Sequence, residues 1–384
     1  MPKAGAYAAL ESRLSGLLHK YDIRTDTNGV RFALASPSRG WNWEWSSPGS
    51  IEQYFIASTT KLYVTTLVMQ LRSEGLLDLD APAAAYLDPS VLAGIHVLHG
   101  VDSSDSITVR ELLSHTSGIA DYFEQRRRDG STQIGDALRR DFAWTFDDVL
   151  RITKEELTPK FAPSTPGKAL YSDTNYQLLG AVIEAVTGTS YEYALRQRVL
   201  LPLGLEDTYP FTVETNDRYD SVAAMLYGTE RVAIPKAMAS LRADGGIVST
   251  ARDGIVFLEA FMTGRLFPVE YLDEMQQQWN SIFPPLEYGM GIMRFALPRY
   301  YTLFRKVPAM IGHSGASGAV LFHVPELDLY VSGTVNQIKK RSLSYNLMTR
   351  LVMACQDAWR GWRDRPRCIR AFRGLPNNPI NPTG

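Results

Sequence analysis

Cysteine is scarce: two residues, Cys355 and Cys368, in a chain of 384. A disulfide-stapled scaffold is therefore excluded, and the two thiols lack the paired spacing of a zinc site, so both are expected to be reduced and non-catalytic. Net charge is also nearly absent, with 40 basic against 41 acidic side chains. No overall field draws the chain to nucleic acid or anionic lipid, so partners must be recognised at local sites. No stretch approaches the ~18 apolar residues of a membrane span. Met1 to Lys20 has no apolar run of signal-peptide type, and the expectation is a cytoplasmic protein with no nucleic-acid or membrane partner. Internal repeats and low-complexity tracts are missing too. What remains, 45% hydrophobic and 11% aromatic residues, is enough to bury cores in two or three domains.

Along the chain, residues 30–36 and 41–46 flank Pro37-Ser38-Arg39-Gly40 and predict a hairpin, because aromatic and β-branched residues border a turn-forming cluster. From Ser58 the spacing of Leu62, Thr65, Thr66 and Met69 predicts a helix to about Glu74. Residues 176–187, closed by Gly188, form another. A second hairpin is expected where 319–324 and 328–335 flank Pro325-Glu326-Leu327, followed by a long amphipathic helix at about 342–362. Strands at both ends with a helical centre predict an α/β (α+β) fold: one antiparallel sheet built from both chain ends and flanked by helices, with an inserted, mostly helical domain. The expected division is 1–80 with 236–384 for the sheet domain and 81–235 for the helical one.

Four motifs carry candidate chemistry. Ser58-Thr59-Thr60-Lys61 sets a hydroxyl and an amine one helical turn apart on one face, where the amine can act on the hydroxyl proton. Alone, such a triplet is close to what chance supplies, and a Ser cap with a surface Lys is the plain alternative. Tyr171-Ser172-Asp173-Thr174-Asn175 precedes the 176–187 helix; its phenol could serve as a general base if a cation lowers its pKa, or the segment could simply cap the helix. Gly312-His313-Ser314-Gly315-Ala316 nearly matches a nucleophile elbow with Ser314 as the nucleophile, but an elbow must join a strand to a helix and a β-type run follows here. An edge strand whose small residues admit a substrate backbone fits better. His96 and His99 could form a metal pair only if helical, yet Gly94 and Gly100 bracket them, and no metal or other cofactor is expected. His115 is expected to hold a loop. The C-terminal arginines, Arg360, Arg363, Arg365, Arg367, Arg370 and Arg373, are expected to form a solvated face.

Taken in order, Ala57-Ser58-Thr59-Thr60-Lys61, Glu74 to Asp80, Ile107 to Ile119, Tyr171 to Tyr176, Gly245 to Asp253 and His313-Ser314-Gly315 resemble the penicillin-recognising serine hydrolases. That group includes class C β-lactamases, D-alanyl-D-alanine carboxypeptidases, D-aminopeptidases and esterases, and the likeness runs over about residues 50–335. It implies a β-lactamase/transpeptidase-like fold with the site in a cleft between the two domains. It also implies that Ser58 is acylated, that Lys61 assists by proton transfer and charge, and that Tyr171 acts as or shares the general base and later protonates the leaving group. His313, Gly315 and Ala316 would meet the substrate, with the N–H groups of Ser58 and Ala316 as the oxyanion hole.

Two departures bear on substrate. Asp173 stands where class C β-lactamases have Asn, and it would hold Lys61 protonated by roughly 4 kcal/mol of Coulomb attraction at about 4 Å and an effective dielectric near 20. His313 stands where β-lactamases have Lys and offers a free carboxylate less. The implied function is hydrolysis of a small ester or amide through a Ser58 acyl-enzyme. Alternatives are a D-alanyl-D-alanine carboxypeptidase, a D-amino-acid amidase or weak β-lactamase, an acyltransferase with a non-water acceptor, and a non-catalytic binding protein on the same fold. The oligomeric state is left open.

Overall fold

A computed structural model describes residues 7–298, 300 and 305–363. Cys368 and four of the six C-terminal arginines lie outside these residues.

Eight antiparallel strands form the main sheet: β1 (Arg31–Ser36), β2 (Trp41–Ser46), β3 (Asn280–Phe283), β4 (Leu286–Tyr288), β5 (Met293–Phe295), β6 (Met310–Ser314), β7 (Ala319–Val324) and β8 (Leu329–Thr334). Their order is β3-β4-β5-β6-β7-β8-β1-β2. Both anticipated hairpins are present, and β1 joins the early and late strands by pairing Arg31 with Thr334 and Ala35 with Tyr330.

Side chains alternate across the pleat, so each strand feeds two cores. Phe32, Leu34, Val320, Phe322, Leu329 and Val331 pack on one face, against α1 (Ala8–Asp22) and the C-terminal helix Ser342–Arg363. Leu10, Leu14 and Leu18 give α1 its apolar stripe at a spacing of four. Ala33, Leu321 and Tyr330 point the other way, onto a core shared by α2 (Thr60–Ser73), α3 (Asp173–Thr187) and α4 (Ala251–Met262). A third cluster, with Phe55, Tyr122, Trp144, Phe211, Met238 and Leu241, lies below the start of α2. The long terminal helix is α5 (Ser342–Arg363).

Two expectations are corrected. The strand carrying His313 is not an edge strand: β5 covers β6 from Met310 to Gly312, pairing Met293 with Gly312. Only the end of β6, from His313 onward, runs past β5, so the free edge is local. The helix at Asp173 also starts three residues before Tyr176, because Ser172 has extended backbone and Asp173 takes the first helical position. An acidic residue there complements the helix dipole.

Candidate active site

Ala57, just before Ser58, is buried with φ at 46°. A left-handed alanine is costly and needs surrounding structure to hold it. One tight turn, Ala57–Thr59, then leads into α2, placing Ser58 at the helix's positive end with its side chain partly open.

One turn on, Lys61 is fully buried. Its Nζ donates to Asp173 Oδ1 at 2.5 Å and to the Asp244 carbonyl at 2.6 Å. The ammonium also lies 5.1 Å from the Tyr171 ring centre and 5.2 Å from that of Tyr176, within cation–π range. Three buried carboxyl groups gather here, Asp173 on the lysine itself and Asp244 and Asp121 beside Asp173. Asp173 is pushed up by burial, with Lys61 pulling it back. Asp244 is raised further, by burial and by Asp173, although Tyr122 and Gln177 donate to its Oδ2 at 2.7 and 3.0 Å. Burial and Asp173 push Asp121 up to about 8, against the backbone N–H groups of Asp173 and Glu124 that it accepts. Three buried carboxyls that raise one another's pKa in this way share protons rather than all ionising.

The Tyr171 hydroxyl is shielded from solvent, and Ser58 is the polar neighbour that favours its ionised form. Burial and the Asp173 charge outweigh that help and raise the phenol well above its usual value. The expectation that a nearby cation would lower it is thus corrected: Tyr171 is a neutral phenol at rest. Its ring sits 4.4 Å from that of His115, and His115 Nδ1 accepts the Ser172 N–H at 3.1 Å. His115 therefore anchors the Tyr171 loop, a role read from the sequence only as loop-holding.

On the opposite wall, β6 runs against the segment before Ser58. A Cβ on Gly315 would lie 2.2 Å from the Ile56 carbonyl oxygen, so only glycine permits the approach. Ser317 Oγ fixes it by donating to the Phe55 carbonyl at 2.6 Å. Ala316 is thereby carried to the same cavity wall as Ser58.

Ser58, Tyr171, Asp173, Gly315 and Ala316 all line one cavity of about 580 Å³. Phe283, Met293, Phe295 and Tyr345 supply its apolar walls, and an ion pair between Arg341 and Glu124 spans its rim. A second, narrow cavity of about 50 Å³ also reaches Ser58 and runs into the third core cluster.

His313 is not part of either wall. It is fully buried behind the strand, with Nε2 3.2 Å from Tyr288 Oη and Nδ1 2.8 Å from the Ser314 carbonyl oxygen. That pattern assigns the proton to Nδ1, with the Tyr288 hydroxyl donating to Nε2. Its side chain thus supports the strand and lines neither cavity. Burial, then the Lys61 charge, pushes its pKa down to about 3. NMR titration should accordingly show His313 neutral at all pH values above about 5; a midpoint near the ordinary 6.5 would overturn this placement.

Ser314 hydrogen-bonds Tyr345 Oη, and β6 turns into β7 rather than a helix, so the elbow arrangement is absent there. His96 Nε2 hydrogen-bonds the Phe161 carbonyl at 2.8 Å, and His99 lies between two short strands with φ 52°, so no helix aligns the two. Among the described residues no group of three His, Cys, Asp or Glu side chains could hold a metal ion, and no helix is long and apolar enough to cross a membrane. Cys355 is buried, which pushes its thiol up to about 12.

A family model described as Beta-lactamase matches residues 47–348. Penicillin-binding protein 4 of Amycolatopsis lactamdurans is 35% identical over 151 residues, 39% of this chain and 34% of that protein. Monacolin J acid methylbutanoyltransferase of Aspergillus terreus is 28% identical over 188 residues, 46% of this chain and 41% of that protein. The chain spans less than two thirds of the length of these relatives. In structure it resembles the D-amino acid amidase of Ochrobactrum anthropi SV3, with a TM-score of 0.75 at 22% identity over 91% of this chain and 99% of that one.

Proposed function

Since the chain belongs to the beta-lactamase family, we propose that it is a serine hydrolase that cleaves a small ester or amide through an acyl-enzyme on Ser58. The observation that carries this reading is that Ser58, Tyr171 and Asp173 line one cavity, with Lys61 hydrogen-bonded to Asp173 behind its wall.

Ser58 Oγ attacks the acyl carbon while its proton passes to Tyr171 Oη. Tyr171 gives its own proton to the leaving oxygen or nitrogen as the acyl–leaving-group bond breaks. A neutral phenol suits this two-way relay, since no phenolate need form. Water then adds to the acyl carbon by the reverse route, and Ser58 recovers its proton. Lys61, hydrogen-bonded to Asp173, holds the Tyr171 ring in place through its contact 5.1 Å from the ring centre. The Ser58 and Ala316 N–H groups receive the oxyanion; each such donor contributes about 2.7–4 kcal/mol.

Transfer to an acceptor other than water is the second reading. It is favoured by the 580 Å³ cavity, which leaves room beside Ser58 for an acceptor, and by the methylbutanoyltransferase similarity. Neutral His313 offers no charge to a substrate carboxylate, which weighs against an efficient penicillinase.

Intact-mass measurement after incubation with a fluorophosphonate, an activated ester and a penicillin tests the proposal. Adducts are expected on the wild type and not on Ser58→Ala. Labelling that persists in Ser58→Ala but disappears in Ser314→Ala would overturn it.

A further inference from the structure

Ser58 stands at the junction of two cavities of different character. Tyr171 lines the wide one and not the narrow one, whereas Ser58, Asp173, Phe123 and Ala316 line both. The group that protonates the leaving atom must face the leaving group, so the leaving group belongs in the wide cavity. The acyl substituent, on the other side of the same carbonyl, is then directed into the narrow one.

The walls of the narrow cavity are almost wholly apolar: Ala137, Trp144, Met225, Ile234, Ala237 and Met238. Two carboxyl groups also border it, and both are already engaged, Asp173 by Lys61 and Asp244 by Tyr122 and Gln177. An acyl group bearing a free ammonium would find no uncommitted carboxylate there. A cavity of about 50 Å³ has room for a short acyl chain and not for a long one.

We propose that this narrow cavity is an acyl pocket, and that the enzyme takes esters or amides of short, uncharged hydrocarbon acids with chains of about four to six carbons. The assignment rests on the acyl-enzyme reading at Ser58.

The test is a series of 4-nitrophenyl esters from acetate to decanoate, together with D-phenylalanine amide. It is run on wild type, Ser58→Ala, Ala237→Phe and Met238→Ala. For the wild type, kcat/KM should rise about fourfold per methylene up to hexanoate, the factor set by burying one CH₂, and fall by decanoate. Ala237→Phe should lose most of the rise, lowering the butanoate and hexanoate rates far more than the acetate rate. Met238→Ala should shift the optimum to longer chains, and it reads the same pocket should the Phe variant fail to fold. A flat chain-length profile that still requires Ser58 would overturn the acyl pocket, as would faster turnover of D-phenylalanine amide than of the hydrocarbon esters. Hydrolysis that survives Ser58→Ala would instead refute the acyl-enzyme reading beneath it.

Discussion

Tyr171→Phe is expected to lower kcat by about 10²–10⁴-fold while leaving the protein folded. The size follows from losing the group that neighbours Ser58 and lines the wide cavity. The fold should survive because the hydroxyl is satisfied by no partner other than Ser58, so its removal breaks no structural hydrogen bond. Removal of a buried, poorly satisfied hydroxyl is close to neutral for stability. Because burial raises the phenol well above its usual value, activity should not climb through an alkaline limb between pH 7 and about 9. Steady-state rates of the two proteins across that range decide the matter. A Phe variant with full kcat would end the relay, and a steep rise with pH would mean that phenolate is the working form.

Replacing Lys61 should produce the largest effect on stability. Lys61→Ala removes the ion-pair partner of Asp173 and leaves that buried carboxyl without it, beside Asp121 and Asp244. Breaking a buried pair from one side costs about 3–5 kcal/mol. The loss should depend on pH in a definite direction. Asp173 already has a pKa raised by burial, and without Lys61 it rises further. A carboxyl raised on folding contributes its stability below its unfolded pKa, near 3.9, and loses it as pH climbs through the folded value. The variant's deficit should therefore be larger at pH 8 than at pH 5. Adding Asp173→Asn should recover much of it by removing the charge left behind. Urea titrations of the three proteins at both pH values measure this. Equal deficits at pH 5 and 8, unrelieved in the double variant, would contradict the charge argument.

The core of this site was legible because it depends on local periodicity. Ser58 and Lys61 are three apart in a segment with no helix breaker, so their shared face follows from the helix itself. Asp121 and Asp244 were not legible as members of the cluster. Their partners, Asp173, Tyr122 and Gln177, come together only through packing of α3 on neighbouring segments, and sequence spacing holds no trace of that. His313 illustrates a different limit. The motif placed it beside the cleft, but whether a strand residue faces cavity or core depends on strand register, which Tyr288 and β5 decide. Strands β3 to β5 escaped notice because each is only three or four residues long and Pro284-Pro285, Gly289 and Gly291 interrupt any alternation. The Leu10, Leu14, Leu18 stripe of α1, by contrast, was present in the sequence at ordinary helical spacing.

The pairing of Arg31 with Thr334 has a consequence for biosynthesis. Strand β1 is made about three hundred residues before its neighbour β8. At roughly 5–20 residues per second, that wait is on the order of 15–60 s. During it, β1 has β2 on one side only, and Phe32 and Leu34 lack both β8 and the cover of α5. High contact order of this kind slows folding and prolongs the exposure of an apolar edge to other nascent chains. The same late segment carries Gly315 and Ala316, so the nucleophile's cavity cannot close before nearly all of the sheet has been translated.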